Sequence, residues 1–436
     1  MSEPRILLSA YQCAPGQCPV SRIGWEWYSR LADQLPLTLV THIRNQKWLE
    51  PNRVTGSEIL YIDTEALAGP LYRTASRLCP RSQHAVFPLS SLDYFAFDRQ
   101  SVRMLKARQK RGWQWDLVHC PTPVSPLAVP TLDRLGLPLV LGPWNGGLQS
   151  PKTFPEFMKQ DSAWLYPIRN LGKVFEAVNG GLKHASLIFT ATQATESTIA
   201  ARYRDRCVRM PENGVNLRLF PPRPWPPPRS ASNPLQVLFV GRLIPAKGLP
   251  MLIDAVRELV RYFPVKLTVI GDGPELANLR EYATQLRLAH CINFAGALPL
   301  EKVSEAMGQS HVFCLPSVRE SGCADLLEAM AAARPVIAVA YGGPAEIVDE
   351  EIGHAIAPLG REYVVQHLAM ALEDIADHPD VWKQKGRRGR LRAEQQFSWE
   401  AKVRKAIEHY RRVLDGRPAA TASTEPPIES EVRQLA

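Results

Sequence analysis

The chain has no run of 18 apolar residues, so no segment reads as a membrane-spanning helix. Its eight cysteines, at 13, 18, 79, 120, 207, 291, 314 and 323, form no CxxC pair. They read as reduced, mostly buried thiols, although Cys13 and Cys18 flank a turn that a disulfide could close. No third glycine follows Gly271-Asp272-Gly273-Pro274 at the spacing of a dinucleotide fingerprint, so these glycines read as a tight turn after a strand. Zinc-finger spacing and RNP-like aromatic boxes are also missing, which argues against nucleic acid as a partner. The N-terminal apolar run Ile6-Leu7-Leu8 is too short for a signal peptide, and the expected location is cytoplasmic.

What is present is an ordinary globular composition, 45% hydrophobic and 22% charged over 436 residues, enough for two or three domains. The net charge of +9 is uneven: residues 1–228 hold 27 Lys and Arg against 17 Asp and Glu, and residues 229–436 hold 25 against 26. The basic excess therefore belongs to the first half and suits an anionic membrane surface or an acidic substrate. Within it, Ser101–Arg111 carries Arg103, Lys106, Arg108, Lys110 and Arg111, followed by Trp113 and Trp115. Two readings stand: an ordinary exposed helix, or a helix docked on an anionic bilayer with the tryptophans at headgroup level.

Pro221-Pro-Arg-Pro-Trp-Pro-Pro-Pro228 reads as a stiff linker, placed at 221–234, between an N-terminal domain (1–220) and a C-terminal one (235–396). Short apolar strands are expected at Arg5–Ser9, Leu37–Thr41, Ile59–Asp63, Leu117–Cys120, Leu137–Gly142 and Leu187–Thr190. Helices are expected at Ile23–Gln34, Gln100–Arg111 and Phe175–His184. The second half repeats the scheme at Val237–Val240, Lys266–Ile270, Ile292–Phe294, Val312–Leu315 and Val336–Val339, with a helix over Leu249–Val260. Such alternation predicts an α/β chain of two doubly wound, Rossmann-like domains facing across a cleft. A last helix follows Ser398 to about Leu414, and 415–436 reads as a disordered tail.

The chemistry-bearing residues cluster after the strands of the second half. Gly241-Arg242 ends a strand and Lys247-Gly248 opens a helix: a forked donor and a mobile point charge, suited to a diphosphate. Glu320-Ser321-Gly322-Cys323 leads into what reads as a helix starting at Ser321-Gly322, with Glu328 two turns on, about 12 Å away if the run is helical. Glu328 lies in the apolar run Leu326–Ala331, where a carboxylate calls for a partner. Gly342-Gly343 precedes Pro344-Ala345-Glu346 and offers backbone N–H groups to an anion. In the first half, His119 sits at a strand's carboxyl end, as a ligand or as a structural hydrogen-bonder. Gly24 lies in the first helix, whose N-terminus could face a phosphate or an acceptor.

These blocks together resemble family 4 (group 1) of the retaining GT-B glycosyltransferases. The resemblance rests on Phe239-Val-Gly-Arg-Leu243…Lys247-Gly248, Val269-Ile-Gly-Asp-Gly273-Pro274, Glu320…Leu327-Glu328-Ala-Met330 and Pro335-Val-Ile337…Gly342-Gly343…Glu346. Asn213-Gly214-Val215 and Phe397-Ser-Trp399 also match, and the first half matches more loosely at Gly24, His119 and Gly142–Gly147.

The resemblance implies transfer of a sugar from a nucleotide-diphosphate donor, UDP- or GDP-linked, with retained configuration, to a saccharide or lipid-linked saccharide; the basic first half suits such an acceptor at the inner face of the plasma membrane. It implies that Arg242 and Lys247 hold the diphosphate, Glu320 the sugar hydroxyls and Glu328 the ribose hydroxyls. Backbone N–H groups around Ser321, Gly322, Cys323 and Gly343 would meet sugar and phosphate. His119 would touch the donor sugar, and the last helix would cross back onto the first domain. The chain has no DxD triplet and the family normally works without a metal, so none is expected.

The chain departs from the pattern at Ala333, where glycine is usual, and at Asp325, among positions that are mostly apolar. Asn216 replaces an aspartate, the Gln17–Arg22 turn lacks the usual glycine pair, and the family's usual histidine position falls on Pro121. A nucleotide-sugar epimerase of the same fold and a catalytically silent nucleotide-sugar-binding protein are the alternatives. An NAD enzyme is disfavoured by the missing glycine fingerprint.

Overall fold

The computed structural model describes residues 3–66, 83–149, 151–155, 181–230 and 232–417, the side chains of 83–92 excepted. Cys79, most of the expected helix Phe175–His184 and the tail beyond Arg417 lie outside the described residues; the end of that helix, Gly181–His184, is helical. The chain forms two compact units. One gathers the described residues of Met1–Gly147, Trp164–Glu212 and Lys402–Ser423; the other those of Leu148–Ala163, Asn213–Ala401 and Thr424–Ala436.

The first unit is built on seven parallel strands: β1 (Ile6–Ala10), β2 (Leu37–His42), β3 (Glu58–Ile62), β4 (Leu117–Thr122), β5 (Leu139–Trp144), β6 (Ala185–Thr190) and β7 (Cys207–Arg209). Their order is β3-β2-β1-β4-β5-β6-β7, with Leu7 opposite both Thr38 and Val118. The central strands are buried along their whole length, as expected of a parallel sheet covered on both faces. Helix α1 (Pro19–Ala32) begins ahead of the expected Ile23, because Pro19 at its first turn supplies a φ already suited to a helix. Strand β5 runs past the expected Gly142 end. Gly142, at φ +85°, passes so close to β6 that a Cβ would lie 2.3 Å from the Phe189 carbonyl oxygen. Helix α2 (Gln83–Gln109) covers the expected basic helix, Gln100–Arg111, up to Gln109, and Lys110 and Arg111 lie in the turn that follows.

The second unit has six parallel strands: β8 (Leu235–Val240), β9 (Val265–Ile270), β10 (Ile292–Gly296), β11 (Val312–Leu315), β12 (Val336–Val339) and β13 (Gly353–Ile356). The order β10-β9-β8-β11-β12-β13 is that of a dinucleotide-binding sheet, reversing direction between β8 and β11. Three helices of this unit matter below, α3 (Leu249–Leu259), α4 (Ala324–Ala331) and α5 (Gly343–Ile347); a fourth, α6 (Trp399–Leu414), starts in it and is capped by Ser398, whose Oγ accepts from the Ala401 N–H at 3.1 Å. From Lys402 on, α6 counts with the first unit. Ala333 adopts φ +58°, which accounts for the glycine usual at that place.

The division between the units falls at Glu212/Asn213, ahead of the proline run, and that run is bound to the second unit. The buried Arg334 donates to the carbonyls of Arg223 (3.0 Å), Pro224 (2.8 Å), Met307 (3.1 Å) and Gly308 (2.7 Å), while His311 Nε2 meets the Pro227 carbonyl at 3.1 Å. Trp115 is no headgroup anchor. It is buried in the first core with its indole N–H donating to Thr38 Oγ1 at 3.0 Å, and Trp113 lies under Arg108. The exposed side chains of Arg103, Lys106, Lys110 and Arg111 remain as a basic face. Among the described residues, no helix is long and apolar enough to cross a membrane. The described cysteines are unbridged; Cys18 is exposed and the rest are buried.

Candidate active site

Ligands of doubly wound sheets lie off the carboxyl ends of the strands, at the point where strand order reverses. In the second unit that point is the pair β8 and β11, and the chain has packed its glycines there. Gly241 leaves β8 at φ +154°. Gly248, at φ +66°, brings the turn against β11 so closely that a Cβ would lie 2.1 Å from the Pro316 carbonyl oxygen. The Val318 N–H donates to the Ala246 carbonyl at 3.0 Å and fastens the two loops. Gly271 and Gly273 serve the same tight packing: their Cβ atoms would lie 1.9 and 2.3 Å from the carbonyl oxygens of Gly241 and Leu243.

This fastening places Lys247 between two carboxylates. Its Nζ donates to Glu320 Oε2 at 2.6 Å and lies 3.6 Å from Asp325 Oδ2. The lysine and Glu320 side chains are each 15% exposed, Asp325 28%. Burial works against the ammonium charge, but Glu320 and Asp325 overcome it, and the Lys247 pKa is held above its ordinary range. Arg242 lies on the same turn, exposed.

Glu320 is not helical. It pairs with Gly342 in an isolated parallel bridge, its carbonyl accepts from the Gly343 N–H at 2.9 Å, and α4 starts only at Ala324. The expected eight-residue helical rise between Glu320 and Glu328 is therefore corrected. The turn is set by Cys323, which caps α4 in the left-handed region at φ +48°. Its backbone N–H points to Glu320 Oε1 at 3.5 Å, and the Asn213 amide holds the Gly322 carbonyl at 2.9 Å. Gly343 fits against this turn because it has no side chain: a Cβ would lie 2.4 Å from the Ser321 carbonyl oxygen and 2.5 Å from Cys323 Sγ. Glu328 is buried in α4.

Lys247, Glu320, Ser321, Gly322, Cys323 and Gly343 thus form one continuous cluster, with Arg242 and Glu328 on the elements that carry it. Asp325 was set apart in the sequence only as a polar intruder. Its place in the first turn of α4, facing a lysine held by a distant loop, is the signal that spacing alone does not carry.

The two residues expected from the first unit are placed differently. His119 is fully buried between Trp27, Phe189 and Tyr410, with ring-centroid distances of 5.0, 6.2 and 5.6 Å. Nε2 lies 2.7 Å from the Gly142 carbonyl, which can only accept, so Nε2 carries the proton and Nδ1 accepts from the Tyr410 hydroxyl at 2.7 Å. Burial lowers its pKa to about 4. Both nitrogens are spent inside the core, and the expected contact with a donor sugar is withdrawn. Gly24 is a packing position: a Cβ would lie 2.0 Å from the Gln12 carbonyl oxygen, so glycine is what lets α1 approach the loop after β1.

Residues 226–389 match the family model described as Glycosyl transferases group 1. The 2-deoxystreptamine glucosyltransferase of Streptomyces kanamyceticus is 31% identical over 179 residues, covering 40% of this chain and 45% of that protein. The match spans less than half the length of this and the next curated relatives. A solved glycosyltransferase from Rickettsia africae ESF-5 aligns at 17% identity with a TM-score of 0.64, covering 95% of this chain and 99% of that one. HepE of Anabaena, solved in complex with UDP and glucose, aligns at 17% identity with a TM-score of 0.59, covering 94% and 99%. These likenesses give the fold, GT-B, with its two Rossmann-like units. Through residues 226–389, which lie in the second unit, the chain is similar to the glycosyl transferases group 1 family.

Proposed function

We propose that the chain moves a sugar from a nucleotide-diphosphate donor to a saccharide or lipid-linked saccharide acceptor, with anomeric configuration retained and no metal in the diphosphate clamp. The observation that carries this reading is the cation Lys247, held between Glu320 and Asp325 at the strand-order reversal. Solved structures of HepE with UDP and glucose and with UDP-glucose favour a UDP-linked donor, with GDP as the other candidate.

In this reading the diphosphate takes over the Lys247 charge, with Arg242 as a second cation. Release from Lys247 leaves Glu320 to accept hydrogen bonds from sugar hydroxyls, and Glu328 binds the ribose diol. The Cys323 backbone N–H, which points to Glu320 Oε1 in the unliganded protein, turns to the sugar, while the Gly343 N–H stays on the Glu320 carbonyl and holds that loop in place. As the bond from the anomeric carbon to the phosphate oxygen breaks, negative charge grows on the diphosphate beside fixed cations. The acceptor hydroxyl attacks from the same face and its proton passes to the departing phosphate. The basic first unit suits an acidic acceptor, and its exposed basic face suits peripheral contact with an anionic inner-membrane surface.

The test is a thermal-shift screen of UDP-, GDP- and ADP-sugars, followed by product analysis for anomeric configuration. A true donor stabilises the fold by mass action. Stabilisation by none of them, or an inverted product, overturns the reading.

A further inference from the structure

We propose that a cavity of the first unit, walled by Trp48, Lys47 and the start of α1, binds an acidic saccharide. This inference rests on the transferase reading and names the class of its acceptor. The cavity holds about 650 Å³, within the range of small-molecule sites, and opens beyond the carboxyl ends of β1 and β2. Tyr11 and Gln12 come from the loop after β1, Ser21 from the first turn of α1, and Arg44, Lys47 and Trp48 from the segment after β2.

Its floor is prebuilt and carries no net positive charge. Arg44 donates to Asp93 at 2.9 Å and to Glu65, two carboxylates that more than offset its single charge. Thr64 donates to Asp93 at 2.6 Å and meets His42 Nε2 at 2.8 Å, and burial lowers the His42 pKa so that its ring stays neutral. The Asn45 amide binds the Tyr11 carbonyl at 2.9 Å and Thr41 Oγ1 at 2.7 Å, which fixes the loop after β1 against β2.

The rim, by contrast, is aromatic and positive. Trp48 is 38% exposed, an open indole of the kind on which the C–H face of a pyranose ring packs. Lys47 Nζ stands 5.0 Å over that indole. Helix α1 begins with no acidic residue in its first turn and no side-chain cap, so its first N–H groups and its dipole add to the lysine's field. Among the described residues, no aspartate or glutamate lines the cavity. A neutral sugar would use the indole and leave the cation and helix end idle; a sugar carrying phosphate or carboxylate uses all three.

The experiment titrates the full-length protein by calorimetry with glucose, glucose 6-phosphate, glucuronate and inorganic phosphate, in wild type, Lys47→Gln and Trp48→Ala. Both variants replace exposed side chains. The expected result is about tenfold tighter binding of the acidic sugars than of glucose, through a charge-assisted bond to Lys47. The two acidic probes distinguish a phosphate from a carboxylate preference. Lys47→Gln should erase the preference; Trp48→Ala should weaken every sugar and leave inorganic phosphate unchanged. Equal affinities in the wild type, a preference that survives Lys47→Gln, or no sugar binding overturns the inference. UDP thermal shifts run alongside. If UDP stabilises the protein and the sugars show no preference, this inference alone fails; if UDP never stabilises it, the transferase reading fails.

Discussion

The two sheets reverse strand order at equivalent places, between β1 and β4 in one unit and between β8 and β11 in the other, yet the polar groups there meet opposite fates. His119 on β4 is sealed: Gly142 and Tyr410 take both ring nitrogens and three aromatic side chains surround it. Lys247, on the turn after β8, is left partly open between two carboxylates. Strand order fixes where chain ends gather, but the loops decide what they can do. After β8 two glycines with positive φ swing the lysine outward over β11, whereas His119 lies within its strand and points into a layer of packed rings.

If that contrast is functional, the largest effect belongs to Lys247. Lys247→Ala should lower kcat/KM by roughly 10²–10³-fold, the scale for losing one electrostatic group that stabilises a transition state. Circular dichroism should show the fold retained, and near-normal turnover would remove the lysine from the clamp.

The converse effect belongs to His119, and it is one of stability. Its folded pKa of about 4 lies below the unfolded value, so between roughly pH 6.5 and 4 the unfolded chain binds the extra proton. Its share of stability is whole above that window and falls by about 3 kcal/mol as pH drops through it. Asp98 works in the opposite sense nearby: burial raises its pKa to about 6 and its folded carboxyl takes up a proton first. The two separate by mutation. In His119→Gln, the fall in melting temperature from pH 7.5 to pH 4.5 should be smaller than in wild type, and an equal fall would show that the imidazole is not the sealed, neutral group described.

The architecture was largely legible because buried parallel strands are short apolar runs. Val312–Leu315, Val336–Val339 and the final helix Trp399–Leu414 fall where the sequence places them. Strands β7 and β13 escaped notice for a physical reason: they are edge strands of three and four residues, one carrying an arginine and the other a glycine and a histidine. Pro143 made β5 look finished at Gly142, since proline removes a ladder donor. At the site, Lys247, Glu320 and Gly343 could be read from residue type and order. Asp325 could not, since its meaning depends on where Lys247 points. His119 was misread because Tyr410, which occupies its Nδ1, lies 291 residues away in sequence.

A finer cut through the comparison is Tyr410→Phe. It keeps the ring and deletes the hydroxyl that donates to His119 Nδ1, leaving a buried acceptor without its partner. Such a loss costs about 1–3 kcal/mol, to be read as a lower denaturation midpoint with an unchanged m-value. UDP should still raise the melting temperature by the wild-type amount. A stability loss that takes nucleotide binding with it would mean the sealed histidine and the open lysine are not independent.

The smallest and most discriminating change is Asp325→Asn. In the unliganded protein Asp325 competes for Lys247 from 3.6 Å while Glu320 holds it at 2.6 Å. On the proposed function, an arriving diphosphate displaces both. At this separation and exposure the Asp325 contribution is under about 1 kcal/mol, so its removal should ease displacement only modestly. The expected result is a donor KM lowered by roughly two- to fourfold with kcat nearly unchanged, since the lost interaction belongs to the ground state. Glu320→Gln should instead lower kcat, because on the proposed function that carboxylate goes on to accept hydrogen bonds from the sugar. A raised KM in Asp325→Asn would mean that Asp325 positions the lysine for the phosphate, and the cluster would then work as a fixed triad with both carboxylates in place throughout the reaction.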